Sequence, residues 1–303
     1  FFQELKHQYQ FGGMTIKLIF INLIVFLFIS ILEVFSRLIG SSVSVFLSSF
    51  TEQVFVLKTD FWGFLTHPWT LFTSIFAHYD FWHFLWNIIF LYFSGKMFEQ
   101  YFDQKRMFYT YLLGGLFGGL FEIVANVVFP NYTSGAVIGA SGAVMAILIS
   151  LAFHKPQLQV ALFGIFNLRL IFFALFFILK DLLSLGMDDG IAHFAHLGGI
   201  VLGMLSIKNL YSNSNIVNVA ARIGDKIVHF VSIIFRPSST PKMKVNKSGG
   251  TRTQQYKSDE QFNLEKKERQ RKTDIILDKI SKSGYESLTK EEKDFLFRQS
   301  NNG

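Results

Sequence analysis

The chain has 303 residues, no cysteine and a formal net charge of +7. The absence of cysteine excludes a disulfide framework, a thiolate zinc site and a cysteine hydrolase. The charge is unevenly distributed, because residues 207–303 hold 19 of the 29 lysines and arginines but only 11 of the 22 acidic residues. The sequence therefore divides into an apolar part and a basic tail.

Six apolar segments approach the ~20 residues that a helix needs to cross the hydrocarbon of a bilayer. The predicted spans are 16–36, 78–95, 107–128, 136–153, 168–187 and 191–208. We expect the first to be a retained helix rather than a removed signal peptide, because no small-residue cleavage site lies near its end. The predicted fold class is an all-α membrane protein, with a six-transmembrane-helix bundle and a small helical cytoplasmic tail.

Lysines and arginines in the connections predict the orientation of the spans. If the chain crosses six times, the basic connections all lie on one side of the membrane. These connections are the segments before the first span and after the second, fourth and sixth spans. We therefore expect both termini, including residues 1–15, to be cytoplasmic, in a bacterial cytoplasmic (inner) membrane. Lys180 beside Asp181 in the fifth span is an exception that an intramembrane ion pair or a snorkelling side chain would explain.

The connection between the first two spans is long and aromatic. Amphipathic rings prefer the depth of the lipid headgroups, so we expect this segment to lie partly in the outer membrane interface. The rings in question belong to Phe61, Trp62, Phe64, Trp69 and Phe72.

Polar residues inside apolar spans are costly in lipid and therefore mark candidate functional sites. The fourth span contains Gly139-Ala140-Ser141-Gly142. Flanking glycines let a neighbouring backbone come close and leave the serine hydroxyl reachable. Small-residue packing motifs that contain serine are also common in membrane helices, so this motif alone is a weak signal.

The sixth span places His196, Gly199 and Gly203 on one helical face, at spacings i, i+3 and i+7. Glycines below a histidine form a groove that allows close helix contact, although a lone histidine can also be a packing residue. Ser141 and His196 each lie five residues into spans that enter from the same side, which puts both roughly 8 Å deep. We expect the two side chains to meet.

The second span carries His83 and Asn87, whose i, i+4 spacing puts two hydrogen-bond donors on one face, as an oxyanion would require. A zinc site formed by His78, His83, His193 and His196 is the alternative. We predict no metal and no cofactor, because HExxH is missing, no acidic ligand is near, and five-residue spacing splays His78 from His83. His193, beside Asp188 and Asp189, is expected to be a solvated interface residue.

Together these motifs resemble those of the rhomboid intramembrane serine proteases. The three are His78-x4-His83-x3-Asn87, the GxSG of Gly139 to Gly142, and the glycine-rich segment from Ala195 to Gly203, in that order. The resemblance covers about residues 16–208, and Gly95 to Glu99 is similar to a turn with an acidic residue in that family.

The resemblance implies a serine endopeptidase that cuts transmembrane helices near the extracytoplasmic face through a Ser141–His196 dyad. Ser141 would be the nucleophile and His196 the general base. His83, Asn87 and the Ser141 backbone amide would be the oxyanion donors. His78 and the glycines of the three motifs would support the site; these are Gly139, Gly142, Gly199 and Gly203. No acidic residue lies one turn from His196, so we expect packing to orient it.

Two positions depart from the family pattern. Thr70 follows Trp69 where many rhomboids have arginine, and Met145 stands where the family often has a tyrosine that stacks on the histidine. A sulfur contact to the imidazole could partly replace that stacking. Neither departure removes a reacting group.

Two other classes of function remain open. An inactive rhomboid-like protein would bind transmembrane helices without cleaving them, but such proteins typically lack the serine or the histidine. A six-helix transporter would show inverted repeats, and the sequence has none.

The basic tail is predicted to contain three parts. Residues 209–235 form an amphipathic helix on the membrane lipid, 236–260 a flexible linker, and 261–303 a short helical module that opens its last helix with the capping box Thr289 to Glu292. So small a module is expected to dock on the bundle or on an unknown protein. We predict no nucleic-acid binding, because the charges alternate in sign.

Overall fold

A computed structural model of the chain describes residues 2–39, 41–162, 166–187, 189–234 and 259–300. The chain forms two compact units, Phe1–Arg236 and Pro237–Gly303. The predicted linker 236–260 lies almost entirely outside the described residues.

The first unit is mostly helical. Its helices are α1 (Phe2–Phe11), α2 (Gly13–Leu38), α3 (Ser41–Phe55), α4 (Phe61–Thr66), α5 (Thr70–Thr73), α6 (Phe81–Phe98), α7 (Gln104–Val128), α8 (Ser141–His154), α9 (Leu170–Leu183), α10 (His193–Ile207) and α11 (Ile216–Ile234). Its strands are β1 (Leu57–Lys58), β2 (Ala136–Val137), β3 (Gln159–Leu162) and β4 (Phe166–Arg169).

The strands correct the prediction of an all-α fold. β1 pairs antiparallel with β2, with Leu57 opposite Val137, and β3 pairs with β4 as a hairpin between α8 and α9. The first pair joins the long aromatic connection to the segment that precedes α8. Both ladders are short, so the fold remains essentially helical.

Close packing between helices centres on α10, which packs against α7 and α8. Glycines make this approach possible: a Cβ on Gly198 would lie 2.4 Å from the Phe117 carbonyl oxygen, and one on Gly199 only 2.1 Å from that of Gly142. A Cβ on Gly203 would meet Ile149 at 2.7 Å. The groove predicted from Gly199 and Gly203 is therefore confirmed.

Two of the predicted spans begin three or more residues before their helices. The fourth was predicted from residue 136, but α8 begins at Ser141, because Ala136–Val137 pairs as β2 and Gly139 takes a φ of +122°. The second was predicted from residue 78, but α6 begins at Phe81, where the Asp80 carboxylate accepts a hydrogen bond from the His83 amide. His78 consequently lies in the loop before α6 and not within it.

Within the described parts of the chain, two helices are candidates for crossing a membrane by length and composition: α2 (Gly13–Leu38) and α7 (Gln104–Val128). The helices at the other four predicted spans, α6, α8, α9 and α10, are 14 to 18 residues long. The count of six crossings therefore remains a prediction.

The aromatic connection contains α3, β1, α4 and α5. Trp62 is 70% exposed, and Phe61, Trp69 and Phe72 are also exposed. The position where the family pattern has arginine is buried, and the Thr70 hydroxyl donates to the His67 carbonyl oxygen at 2.6 Å. Exposed rings are what an interfacial segment requires, and the depth of this segment in a membrane stays a prediction.

Glu99, at the end of α6, holds the start of α2. Its carboxylate accepts hydrogen bonds from the amides of Met14 and Thr15 and from the Thr15 hydroxyl. The first amides of a helix have no partner within the helix, so a carboxylate there is stabilising. Gly95 to Phe98 are the last residues of α6 and not the predicted turn, and the acidic residue that follows them ties α6 to α2.

The amphipathic helix predicted within 209–235 is α11. It is held to the start of α7 by the ion pair of Lys105 with Asp225 and by a hydrogen bond from Arg106 to Asn218. Two apolar side chains of this helix, Ile227 and Phe230, are exposed. An apolar face in this position suits the predicted contact with lipid, which remains untested.

The second unit contains α12 (Asp259–Ser283) and α13 (Lys290–Ser300), separated at Gly284, whose φ is +76°. The predicted capping box is confirmed: the Thr289 amide donates to the Glu292 carboxylate at 2.8 Å, and the Glu292 amide donates to the Thr289 hydroxyl at 3.3 Å. Lys279 pairs with Glu292 at 2.9 Å and so joins the two helices.

Candidate active site

Ser141 is the first residue of α8, whereas the prediction placed it five residues into its span. The turn before it depends on Gly139, whose amide donates to the Ser74 carbonyl oxygen at 2.9 Å. A Cβ at this position would lie 2.7 Å from Cε1 of His83 and would require an L residue at a φ of +122°. At a helix N-terminus the Ser141 amide has no partner within the helix, and the helix dipole favours negative charge there.

His78 supports the same turn. Its side chain is buried, and its Nε2 accepts a hydrogen bond from the Ala140 amide at 3.3 Å. The lone pair of Nε2 is therefore engaged with the backbone that precedes the serine. This contact gives His78 a positioning role.

His196 is the fourth residue of α10, and its side chain is only 11% exposed. Its Nδ1 lies 3.0 Å from Oδ1 of Asp181 on α9. The prediction that no acidic residue orients this histidine is therefore wrong. No acidic residue lies one turn away from His196 on α10, and this carboxylate comes from the preceding helix, α9.

The prediction that His193 is a solvated interface residue is also wrong, because its side chain is buried. It is 4% exposed, with Nδ1 at 2.9 Å from Asp181 Oδ1 and Nε2 at 3.2 Å from Asp189 Oδ2. Burial opposes ionisation of Asp189, but hydrogen bonds from the Ile191 amide and His193 outweigh it and hold its pKa below the usual range. Asp188, the other predicted neighbour, lies outside the described residues.

Asp181 is fully buried and shares one oxygen between two imidazoles. Lys180 Nζ lies 3.5 Å from the same oxygen, so the predicted ion pair within this segment is present. Among the residues that the structure describes, no donor meets the other oxygen, Oδ2. A buried carboxylate is tolerated only with such compensation by donors and cations.

The candidate catalytic groups line one cavity of about 560 Å³. Ser141, His196, His83 and Asn87 all contribute to its wall, together with Met145 and Asp181. Within the described part of the chain, no hydrogen bond joins the Ser141 and His196 side chains. Catalytic hydrogen bonds are often long before substrate binds, so this separation is compatible with a nucleophile and its base.

Asn87 faces the cavity with part of its donor capacity in use. Its Nδ2 donates to the His83 carbonyl oxygen at 2.8 Å, one turn earlier on α6. An amide NH₂ has two hydrogens, so one remains for a ligand. The i, i+4 spacing that predicted two donors on one face therefore also fixes the orientation of one of them.

The predicted zinc alternative required four histidines to converge. His78 is engaged with Ala140, and the structure instead groups His193 and His196 with Asp181, their candidate ligand atoms lying within 4.8 Å of one another. This trio could hold a cation. Each contact within it already has hydrogen-bond length and a donor facing a carboxylate oxygen, so the arrangement needs no ion to explain it.

Comparison with known families identifies the first unit. The family model for the Rhomboid domain matches residues 65–213. The chain therefore contains a Rhomboid domain, which makes it an integral membrane protein of the class that this domain defines. Residues 256–302 match a second family model, Family of unknown function (DUF6576).

Similar proteins occur in Arabidopsis thaliana. RHOMBOID-like protein 12, mitochondrial, is 32% identical over 45% of this chain and 45% of the relative. RHOMBOID-like protein 1 is 31% identical over 45% of this chain and 33% of the relative, and Inactive RHOMBOID-like protein 8 is 27% identical over 47% and 36%. The chain thus spans less than half the length of these relatives, which include an inactive protein.

Asp181 is the site residue whose role the sequence did not predict. The sequence did contain a signal for Asp181, because an acidic side chain in an apolar span is costly and marks a functional position. An ion pair with the adjacent Lys180 offered a local explanation for this acidic residue. The distance along the chain to His196 gave no indication that α9 and α10 would turn these two side chains toward each other.

Proposed function

We propose that this protein is an intramembrane serine endopeptidase that cleaves transmembrane helices near the extracytoplasmic membrane face through a Ser141–His196 dyad. The observation that carries the proposal is the single cavity onto which Ser141, His196, His83 and Asn87 open. The Rhomboid domain at residues 65–213 supports it. The proposal includes a bacterial cytoplasmic membrane with both termini cytoplasmic, although the relatives named above are plant proteins.

The chemistry would be acyl transfer. His196 Nε2 takes the Ser141 hydroxyl proton as Oγ attacks a peptide carbonyl, and the protonated imidazole then gives that proton to the leaving amine. Water attacks the acyl-enzyme in the second half, with His196 again as base. Donors from Asn87, His83 and the Ser141 amide would stabilise the negative oxygen of each tetrahedral intermediate.

The location of the site suits this reaction. Hydrolysis needs water, and irregular backbone within a membrane is tolerated where it lines a water-filled cavity. The turn of Gly139 and Ala140 is such a segment, and it borders the cavity through Ile138 and Ser141. A substrate helix would have to unwind near its outer end to present a carbonyl, which favours helix-destabilising residues and small side chains at the cut.

The test is labelling of the purified, detergent-solubilised protein with a fluorophosphonate probe, together with cleavage of a model transmembrane substrate. Wild type should react with the probe, and Ser141→Ala should not. Members of a nucleophile and base pair act as a unit, so Ser141→Ala, His196→Ala and the double variant should lose cleavage almost equally. Asn87→Ala and His83→Ala should each lower kcat on the order of 10²-fold, as expected for one oxyanion donor.

A non-cleaving function is the second candidate, because the relatives include Inactive RHOMBOID-like protein 8. Under this alternative the chain would bind transmembrane helices and release them uncut. A folded wild-type protein that neither takes up the probe nor cleaves any transmembrane substrate, but still binds such helices, would replace the protease proposal with this one.

A further inference from the structure

We propose that Asp181 is a positioning residue for His196, so that the dyad operates as a triad whose acid comes from α9. The inference rests on the proposed protease function, since it assigns a role within that site. Its basis is the 3.0 Å contact between Asp181 Oδ1 and His196 Nδ1. A carboxylate is only an acceptor, so Nδ1 must carry the hydrogen.

The tautomer follows from this contact. In a neutral imidazole with hydrogen on Nδ1, Nε2 has a free lone pair and can accept the serine proton. With hydrogen on Nε2 instead, His196 could not act as the base. Asp181 therefore selects the reactive tautomer and fixes the plane of the ring.

Asp181 also stabilises the charge that appears during the reaction. When His196 accepts the Ser141 proton it becomes an imidazolium, and a carboxylate 3.0 Å from Nδ1 attracts it. Asp181 has no exposed surface, and charge interactions are stronger away from water. No proton needs to move to Asp181, since the hydrogen on Nδ1 stays there throughout.

His193 completes the arrangement by holding Asp181. Both of its ring nitrogens face carboxylate oxygens, Nδ1 toward Asp181 and Nε2 toward Asp189. These contacts fix the ring of His193 against Asp181, and Lys180 Nζ lies 3.5 Å from the same oxygen of Asp181. Together they offset the cost of burying the Asp181 carboxylate.

The first experiment measures kinetics on the full-length protein in detergent. Asp181→Asn should lower kcat by at least 10²-fold while KM stays within about threefold, because substrate contacts are unchanged. Asp181→Glu keeps the carboxylate and should recover part of kcat. Asp225→Asn is the matched control, since it makes the same chemical change at an exposed ion pair with Lys105. Thermal melting of each variant establishes that it is folded.

The second experiment does not depend on activity. Histidine-selective ¹⁵N labelling in a Ser141→Ala background reports which nitrogen of each imidazole is protonated, with His196→Gln used to assign the His196 signals. The wild-type pattern should show hydrogen on Nδ1 of His196, and Asp181→Asn should change it. A structural role in folding alone would leave the His196 signals unchanged in a folded variant.

The outcomes separate this inference from the proposed function. Asp181→Asn with kcat within about twofold of wild type, or with unaltered His196 signals, would overturn the positioning role. A wild-type protein without cleavage or probe uptake would refute the protease function, while the tautomer measurement would still decide whether Asp181 orients His196. If Asp181→Asn does not fold, Asp181→Glu provides the test of the positioning role. A folded, fully active Asp181→Glu protein that has lost the Nδ1 hydrogen signal of His196 would also overturn that role.

Discussion

At the scale of single residues, the two histidines of α10 contact the same carboxylate. The sequence predicted a solvated His193, and a solvated residue could be replaced in His193→Ala with most activity retained. In the structure both rings contact Oδ1 of Asp181, and His193 is nearly as buried as the core. Removing His193 would leave Asp181 with one hydrogen-bonding partner fewer.

We therefore expect His193→Ala to lower cleavage, but by less than His196→Ala. A hydrogen bond to a charged group contributes about 1.5–3 kcal/mol, which corresponds to roughly 10- to 10²-fold in rate if that energy is lost at the site. Cleavage rates of both variants with one transmembrane substrate provide the measurement. Wild-type cleavage by a folded His193→Ala protein would show that Asp181 holds its position without this ring.

At the scale of secondary structure, contact between α8 and α10 depends on glycine. A Cβ on Gly199 would approach the Gly142 carbonyl oxygen to 2.1 Å, and this oxygen belongs to backbone that cannot rotate away. We expect Gly199→Ala to lower the free energy of unfolding by about 1–3 kcal/mol or more, because the added methyl group overpacks the contact. Because Gly142 follows Ser141, activity should fall as well.

Thermal melting in detergent tests this expectation, with Leu205→Ala as the control. Leu205 lies on the same helix and is 38% exposed, so its truncation should change the melting temperature far less. Equal melting temperatures for Gly199→Ala and wild type would mean that the two helices can separate at little cost.

The sequence could predict those features of these elements that depend only on the local pattern of residues. The spacing of His196, Gly199 and Gly203 on one helix was enough to predict a groove, because i, i+3 and i+7 positions share a face. The capping box of Thr289 and Glu292 was equally local. Such features depend on residues within two turns of each other.

Features that depend on distant contacts were missed. The pairing of Leu57 with Val137 turned residues 136–137 into a strand and moved the start of α8 to Ser141. The meeting of Asp181 with His196 depends on how α9 and α10 are rotated about their axes, which packing decides. Candidate residues could therefore be predicted from motifs, whereas the third member of the site could not.

The second unit offers a prediction about pH. Glu292 accepts hydrogen bonds from Lys279 and from the Thr289 amide, and these hold its pKa below the usual 4.5. A carboxyl whose pKa is lowered by folding stabilises the fold above its unfolded value, and this stabilisation is lost as the pH falls through the folded value. Glu292→Gln should therefore loosen this unit at neutral pH and have little effect at a pH well below 4.5.

Hydrogen–deuterium exchange of the full-length protein measures this through peptides covering residues 285–296. At neutral pH the Glu292→Gln protein should exchange faster than wild type, and the difference should shrink in acid. Glu291→Gln is the control, since Glu291 is exposed in the same turn. Identical exchange in Glu292→Gln and wild type at neutral pH would show that the capping box and the Lys279 contact contribute nothing measurable.

At the scale of the whole molecule, the remaining question is how often the chain crosses the membrane. Among the residues that the structure describes, two helices are long and apolar enough to cross a membrane, whereas the predicted site needs six crossings with the cavity open to the extracytoplasmic side. Helices of 14 or 15 residues are about 21–23 Å long at 1.5 Å per residue, shorter than the ~30 Å hydrocarbon. α8 and α10 begin at the site itself, so a water-filled cavity above them could complete the distance.

The orientation can be tested directly because the chain contains no cysteine. Single cysteines can be placed at Asn131 between α7 and α8, at Gln104 at the start of α7, and at Lys282 in the second unit, all of which are exposed. The distribution of basic residues predicts that a membrane-impermeant maleimide labels Asn131→Cys in intact cells. Gln104→Cys and Lys282→Cys should react only after permeabilisation. Labelling of Asn131→Cys and Gln104→Cys from the same side would mean that α7 does not cross, and the six-helix topology would then be wrong.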